Sequence, residues 1–141
     1  VESRVHRILR PLATFHVLGE WSRLQQLAKV QSPLSENERL LGVYENHPGL
    51  VDEIVAFTET GMYLREAGGW FSVRYAEIVN AESRNTGKTE TSEITLLLSS
   101  GLQKALPIHG GTGRFRDVFQ VLRFFDRLAE DRTDDLSNDE K

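Results

Sequence analysis

Glu53-Ile54-Val55-Ala56-Phe57-Thr58, then Glu59-Thr60-Gly61, then Met62-Tyr63-Leu64-Arg65, is the stretch that decides the fold. Two β-prone runs flank a short polar segment that ends in glycine. That is the chemistry of a hairpin turn between two half-buried strands. Upstream, Arg39 to Glu45 is short, apolar and β-prone, and His47-Pro48-Gly49 closes it as a turn. Downstream, Ala67-Gly68-Gly69 makes the next turn and Trp70 to Val73 the next strand. Tyr75 to Glu82 is a longer strand, ended by the polar loop from Arg84 to Thr91. Ile94 to Ser99 and Leu102 to Ile108, joined by Ser100-Gly101, give a last hairpin. Pro107 belongs at a strand end or edge, since it cannot donate to a ladder.

Outside these seven strands the period changes. Val5, Ile8, Leu12 and Phe15, then Leu18, Trp21, Leu24 and Ala28, recur every three or four residues. This predicts an N-terminal helical segment over 1–32, kinked or restarted at Pro11 and ended by Ser32-Pro33. At the other end Phe115, Val118, Phe119, Leu122 and Phe125 form one stripe, widened by Val121, Phe124 and Leu128. So wide an apolar face predicts a helix buried against two surfaces, the mouth of the sheet and the N-terminal helix.

The chain has 141 residues, 39% hydrophobic and 27% charged, which is ordinary globular composition. It has no cysteine, which excludes disulfides, thiolate metal sites and a cysteine nucleophile. No apolar run approaches the roughly 20 residues of a membrane span, and none reads as a cleavable signal peptide. Val1 in place of methionine predicts a piece of a longer chain. The net charge of -4 is unevenly spread. Residues 1–32 carry five basic against two acidic residues, 33–129 ten against thirteen, and 130–141 two against six. The last segment holds one apolar residue, Leu136, and is expected to remain a disordered, solvated acidic tail.

Residues 34–128 resemble the bacterial pleckstrin-homology-like (PH-like) fold, most closely its GRAM-type branch. The residues carrying the likeness begin with Leu34 to Glu38, Leu40 and Tyr44. Ile54-Val-Ala-Phe-Thr58 with Gly61-Met-Tyr-Leu64, and Trp70 with Tyr75-Ala-Glu-Ile78, continue it. Gly101 to Ile108 and the helix with Phe115, Phe119, Phe124 and Phe125 complete it. The resemblance implies a mainly β domain at 33–129: a seven-stranded antiparallel barrel or sandwich capped by a C-terminal helix. The N-terminal helix is an addition. It also implies a non-enzymatic binding or scaffold module in a bacterial cytoplasm or at the inner face of the membrane.

The expected job is association with a protein partner or a second copy, through an exposed strand edge or the N-terminal helix. Two alternatives stand beside it. One is peripheral binding to an anionic membrane through Arg4, Arg7, Arg10 and Trp21 on a basic amphipathic helix. The other is a small ligand in the barrel mouth. In PH-like proteins, basic residues in the first hairpin loop hold inositol phosphates. Here that loop, Asn46 to Glu53, has one histidine, no lysine or arginine, and two acids, so a phosphate there meets repulsion. Gly111, Thr112, Gly113 and Arg114, leading into the last helix, form a candidate anion site, without the Gly-Lys-Ser/Thr of a phosphate loop. The four histidines, His6, His16, His47 and His109, show no metal-like spacing. No nucleophile elbow is present. No metal, cofactor, catalytic residue or nucleic-acid partner is expected.

Overall fold

The computed structural model describes residues 1–12, 15–17, 39–47, 53–66, 69–83, 93–109 and 117–139. Helix α1, Glu2–Arg4, runs into a π-helical stretch Val5–Leu9. The strands are β1 Phe15–Val17, β2 Leu40–Tyr44, β3 Val55–Thr58, β4 Gly61–Glu66 and β5 Gly69–Arg74. A 3-10 turn at Tyr75–Glu77 leads to β6 Ile78–Glu82, β7 Glu93–Leu98 and β8 Gln103–Pro107, and helix α2 follows at Asp117–Asp139. All pairings are antiparallel: β1 to β5 form one sheet in sequence order, and β6 to β8 a second.

The hairpin of β3 and β4 forms as its chemistry requires, with Val55 opposite Leu64 and Phe57 opposite Met62. Thr58 is buried and staples the turn: its Oγ1 accepts the N–H groups of Thr60 and Gly61 at 3.2 and 3.1 Å and donates to the Gly61 carbonyl at 3.0 Å. Gly61 is required here, because a Cβ would run into the backbone carbonyl of Val73 on β5.

β3 is buried along its whole length, so its apolar residues serve two faces. Val55 and Phe57 enter the main core, while Ala56 joins Leu40, Val43 and Ile54 in a smaller cluster with Tyr63 and Trp70. β7 alternates, with Ile94, Leu96 and Leu98 inward. The main core is tied by aromatic contacts: Phe124 meets Phe57 edge-on at 5.6 Å and Tyr75 edge-on at 5.8 Å. Val118, Val121, Phe124, Phe125 and Leu128 of α2 are buried, and α2 also packs on the N-terminal helical stretch through Val5, Ile8 and Leu9. The two-sided burial expected of this helix is present.

Five expectations need correction. Among the described residues the strands number eight, in two sheets, and no closed barrel forms. The extra strand comes from the segment read as a long N-terminal helix. Helix ends at Leu9, before Pro11, and Phe15–Val17 pairs with Gly42–Tyr44 of β2. Phe15 is positioned by packing, not by helical period. Its ring lies over Gly42, where any Cβ would strike it, and against Phe57 at 5.7 Å. Residues 18–38, including the rest of that predicted helix, lie outside the described residues.

Tyr75 to Glu82 is not one strand, because Tyr75 turns inward. Its hydroxyl donates to the Thr58 carbonyl at 2.8 Å, and its N–H to Thr60 at 3.0 Å. Phe119, placed on the apolar stripe of α2, is 48% exposed. Finally, α2 continues to Asp139 through most of the predicted tail. Once a helix is nucleated by a packed face, each further residue adds a backbone bond at little cost.

Candidate functional site

β2 runs out into Glu45, Asn46 and His47, and here one side chain joins three segments. Asn46 is buried. Its Nδ2 donates to the carbonyls of Glu53 at 2.6 Å and Pro107 at 2.9 Å, and its Oδ1 accepts the N–H of His109 at 2.8 Å. The exit of β2, the entry to β3 and the exit of β8 are thereby held together.

Three ionisable side chains stand on these clamped segments. Nε2 of His47 lies 3.3 Å from Oε1 of Glu53, and Nε2 of His109 lies 3.5 Å from Oε2 of the same carboxylate. The two imidazole rings are 5.5 Å apart, centre to centre. All three side chains are partly open to solvent, between 34% and 43% exposed. Glu53 holds φ at +55°, in the left-handed region. For a residue with a Cβ this conformation costs about 1–2 kcal/mol. Solvent-exposed ion pairs return only about 0–1 kcal/mol each. The hydrogen bond from Asn46 to the Glu53 carbonyl therefore helps hold the turn.

Two further contacts brace the same end of β2. Tyr44 donates its hydroxyl to Asp117 Oδ2 at 2.7 Å, where the carboxylate sits in the first turn of α2. Glu45 lies 2.7 Å from Nε2 of His16 on β1.

A second feature lies at the outer edge of the three-stranded sheet. Among the described residues β6 pairs only with β7. Along its other side runs a groove between Ile78, Val79, Asn80 and Ala81 of β6 and Phe125, Leu128 and Arg132 of α2, enclosing about 70 Å³. Val79 is 64% exposed, whereas Phe125 and Leu128 are buried. Arg132 crosses the end of the groove to donate to the Tyr75 carbonyl at 2.9 Å. Next to it a hollow of about 400 Å³ is lined by Glu59, Thr60, Arg74, Asp131 and Arg132 among others.

Of the residues singled out in the sequence, Arg4, Arg7 and Arg10 lie among the described residues. Arg4 is bound to Asp131 of α2, Nη2 to Oδ1 at 2.9 Å and Nε to Oδ2 at 3.2 Å. These hydrogen bonds raise the Arg4 guanidinium above its ordinary pKa and lower the Asp131 carboxyl below its own. Arg7 and Arg10 are exposed, but the apolar side of their segment, Val5, Ile8 and Leu9, is committed to the core and not to an outside surface. Trp21 and the anion-site residues Gly111, Thr112, Gly113 and Arg114 lie outside the described residues.

The His47, Glu53 and His109 cluster escaped the spacing rule, which looks for ligands on one helix or loop. One signal in the sequence was shared: each histidine follows closely on a strand and is followed by glycine within two residues, in His47-Pro48-Gly49 and His109-Gly110-Gly111. An exposed edge was expected as a kind of surface; the strand order leaves β1, β5, β6 and β8 at edges among the described residues, and the groove shared with α2 distinguishes β6. No helix among the described residues is long and apolar enough to cross a membrane. No protein-family model, curated protein or solved structure matches the chain.

Proposed function

We propose that this chain is a non-enzymatic, PH-like binding module whose ligand is an extended polypeptide segment laid along β6 against α2. The PH-like reading is supported by the order of elements. Strands β2 to β5 form one antiparallel meander, β6 to β8 a second, and α2 follows, with β1 and α1 as additions.

The observation that carries the function is the groove beside β6. A strand edge offers a row of N–H and C=O groups to an incoming strand, and side-chain pockets beside it supply selectivity. Here the pocket is floored by Phe125 and Leu128 and rimmed by Asp126 and Arg132. At about 70 Å³ it is well short of the roughly 300–1,000 Å³ of a small-molecule site and suits a single apolar side chain. The space between the sheets is filled by Leu41, Tyr44, Phe57, Leu96, Leu106 and Phe124, which argues against a ligand in the barrel mouth.

The test is selection of random displayed peptides on the immobilised chain, with the bound peptide mapped by backbone amide shifts. Shifts at residues 78–82 and 125–132, and about tenfold or greater weakening by Ala81→Arg, are expected. Light scattering asks whether a second copy supplies the strand, giving a dimer that Ala81→Arg dissolves. A chain that selects no peptide and stays monomeric at high concentration overturns the reading, as do peptides that map elsewhere.

A further inference from the structure

We propose that His47, Glu53 and His109 form a binding site for a divalent transition metal of the zinc class, with one coordination position left open. The site shares no residue with the β6 groove and stands independently of it.

The donor set is two imidazoles and one carboxylate, which suits zinc and its first-row neighbours. Calcium and magnesium take all-oxygen shells instead. The separations fit as well. Ligands of a tetrahedral ion with bonds of about 2.0–2.1 Å stand about 3.3 Å from one another. The His47 and His109 Nε2 atoms stand 3.3 and 3.5 Å from the two oxygens of Glu53, and all three groups offer donors within 4.8 Å of one another. The carboxylate reaches the rings with separate oxygens, so a rotation of the Glu53 side chain brings one oxygen to the ion.

Preorganisation is the third argument. A metal site needs its ligands held by a supporting shell, and Asn46 supplies one. It bonds the Glu53 carbonyl, the His109 N–H and the Pro107 carbonyl two residues earlier. The left-handed backbone at Glu53 belongs to the turn that sets its carboxylate between the rings. Three protein ligands with solvent access match an open zinc site better than a closed structural one.

The test uses the full chain, stripped with chelator and titrated with zinc(II), then with cobalt(II) for its visible d–d bands. One equivalent is expected to bind with a dissociation constant below about 10 µM, and cobalt(II) to give four- or five-coordinate bands. The His47→Ala/His109→Ala double variant should bind at least about 100-fold more weakly, and Glu53→Gln or Asn46→Ala about 10-fold. His6→Ala should bind as the wild type does. Histidine ring resonances of the wild type give a reading free of folding effects: one equivalent of zinc(II) should move His47 and His109 and leave His6 and His16 in place. Three results would overturn the proposal: no saturable binding below about 100 µM, unchanged affinity in the double variant, or ring signals that move at His6 or His16 instead.

Discussion

The side-chain oxygen of Asn46 accepts the backbone N–H of His109 at 2.8 Å, across 63 positions of sequence. The same side chain donates to two carbonyls, so its loss strands three backbone groups at the meeting point of β2, β3 and β8. Asn46→Ala should lower stability by about 2–4 kcal/mol, read from urea unfolding at unchanged slope. Asn46→Asp keeps the acceptor but loses both donations and sets a carboxylate against two carbonyls. It should be no better than alanine, and a wild-type midpoint in either variant would refute the clamp.

Tyr44 and Asp117 make another long-range tie of this corner, at 2.7 Å between buried groups. Removing a hydroxyl bonded to a carboxylate costs about 1.5–3 kcal/mol, against about 1 kcal/mol for one bonded to a neutral carbonyl. Tyr44→Phe should therefore destabilise more than Tyr75→Phe, whose hydroxyl bonds the Thr58 carbonyl. Equal losses in thermal or urea unfolding would contradict this.

Two glycines separate close approach from mere turn chemistry. Gly61→Ala drives a methyl into the Val73 carbonyl, and neither backbone can swing away, so a loss of about 1–3 kcal/mol is expected. At Gly69 nothing lies within 4 Å of the added methyl and φ is not left-handed, so Gly69→Ala should be neutral or gain about 0.5 kcal/mol. Chemical unfolding of the two variants side by side checks the contrast.

The pair Arg4 and Asp131 makes stability depend on pH in a defined direction. The hydrogen bond from Arg4 lowers the Asp131 pKa in the folded chain. Its contribution is therefore complete above about pH 5, beyond the unfolded carboxyl value, and is lost as pH falls through the depressed native value. The raised Arg4 pKa acts only at strongly alkaline pH. Wild type and Asp131→Asn should differ most near neutrality and converge in acid, and added salt should shrink the gap. A gap independent of pH from 2 to 7 (a range spanning the carboxyl values) would contradict this role.

Much of the fold was legible in the residues, and the misses have a common cause. Thr58 and Gly61 specify their turn through bonds to neighbours three positions away. Ile94, Leu96 and Leu98 alternate because the strand itself alternates. Pro107 sits at the end of β8, as its missing N–H demands. Phe15 misled because residues spaced by three or four satisfy a helical pattern by chance. Its true place depends on Gly42, which is distant in sequence. Phe119 lies on the right helix but at the margin of the buried arc, and only the packed neighbours decide how wide that arc is.

From β2 onward the succession of hairpins and the closing helix was legible in the residues alone, because propensity, periodicity and glycine or proline chemistry act over a few residues. The tertiary structure alone decided which strand took the edge of β2, which edge was left beside α2, and that His47, Glu53 and His109 meet. Those outcomes depend on register and on the burial of one polar side chain, Asn46, whose partners lie 7, 61 and 63 positions away. A buried amide must find bonding partners wherever the fold supplies them, and no local pattern records where that will be.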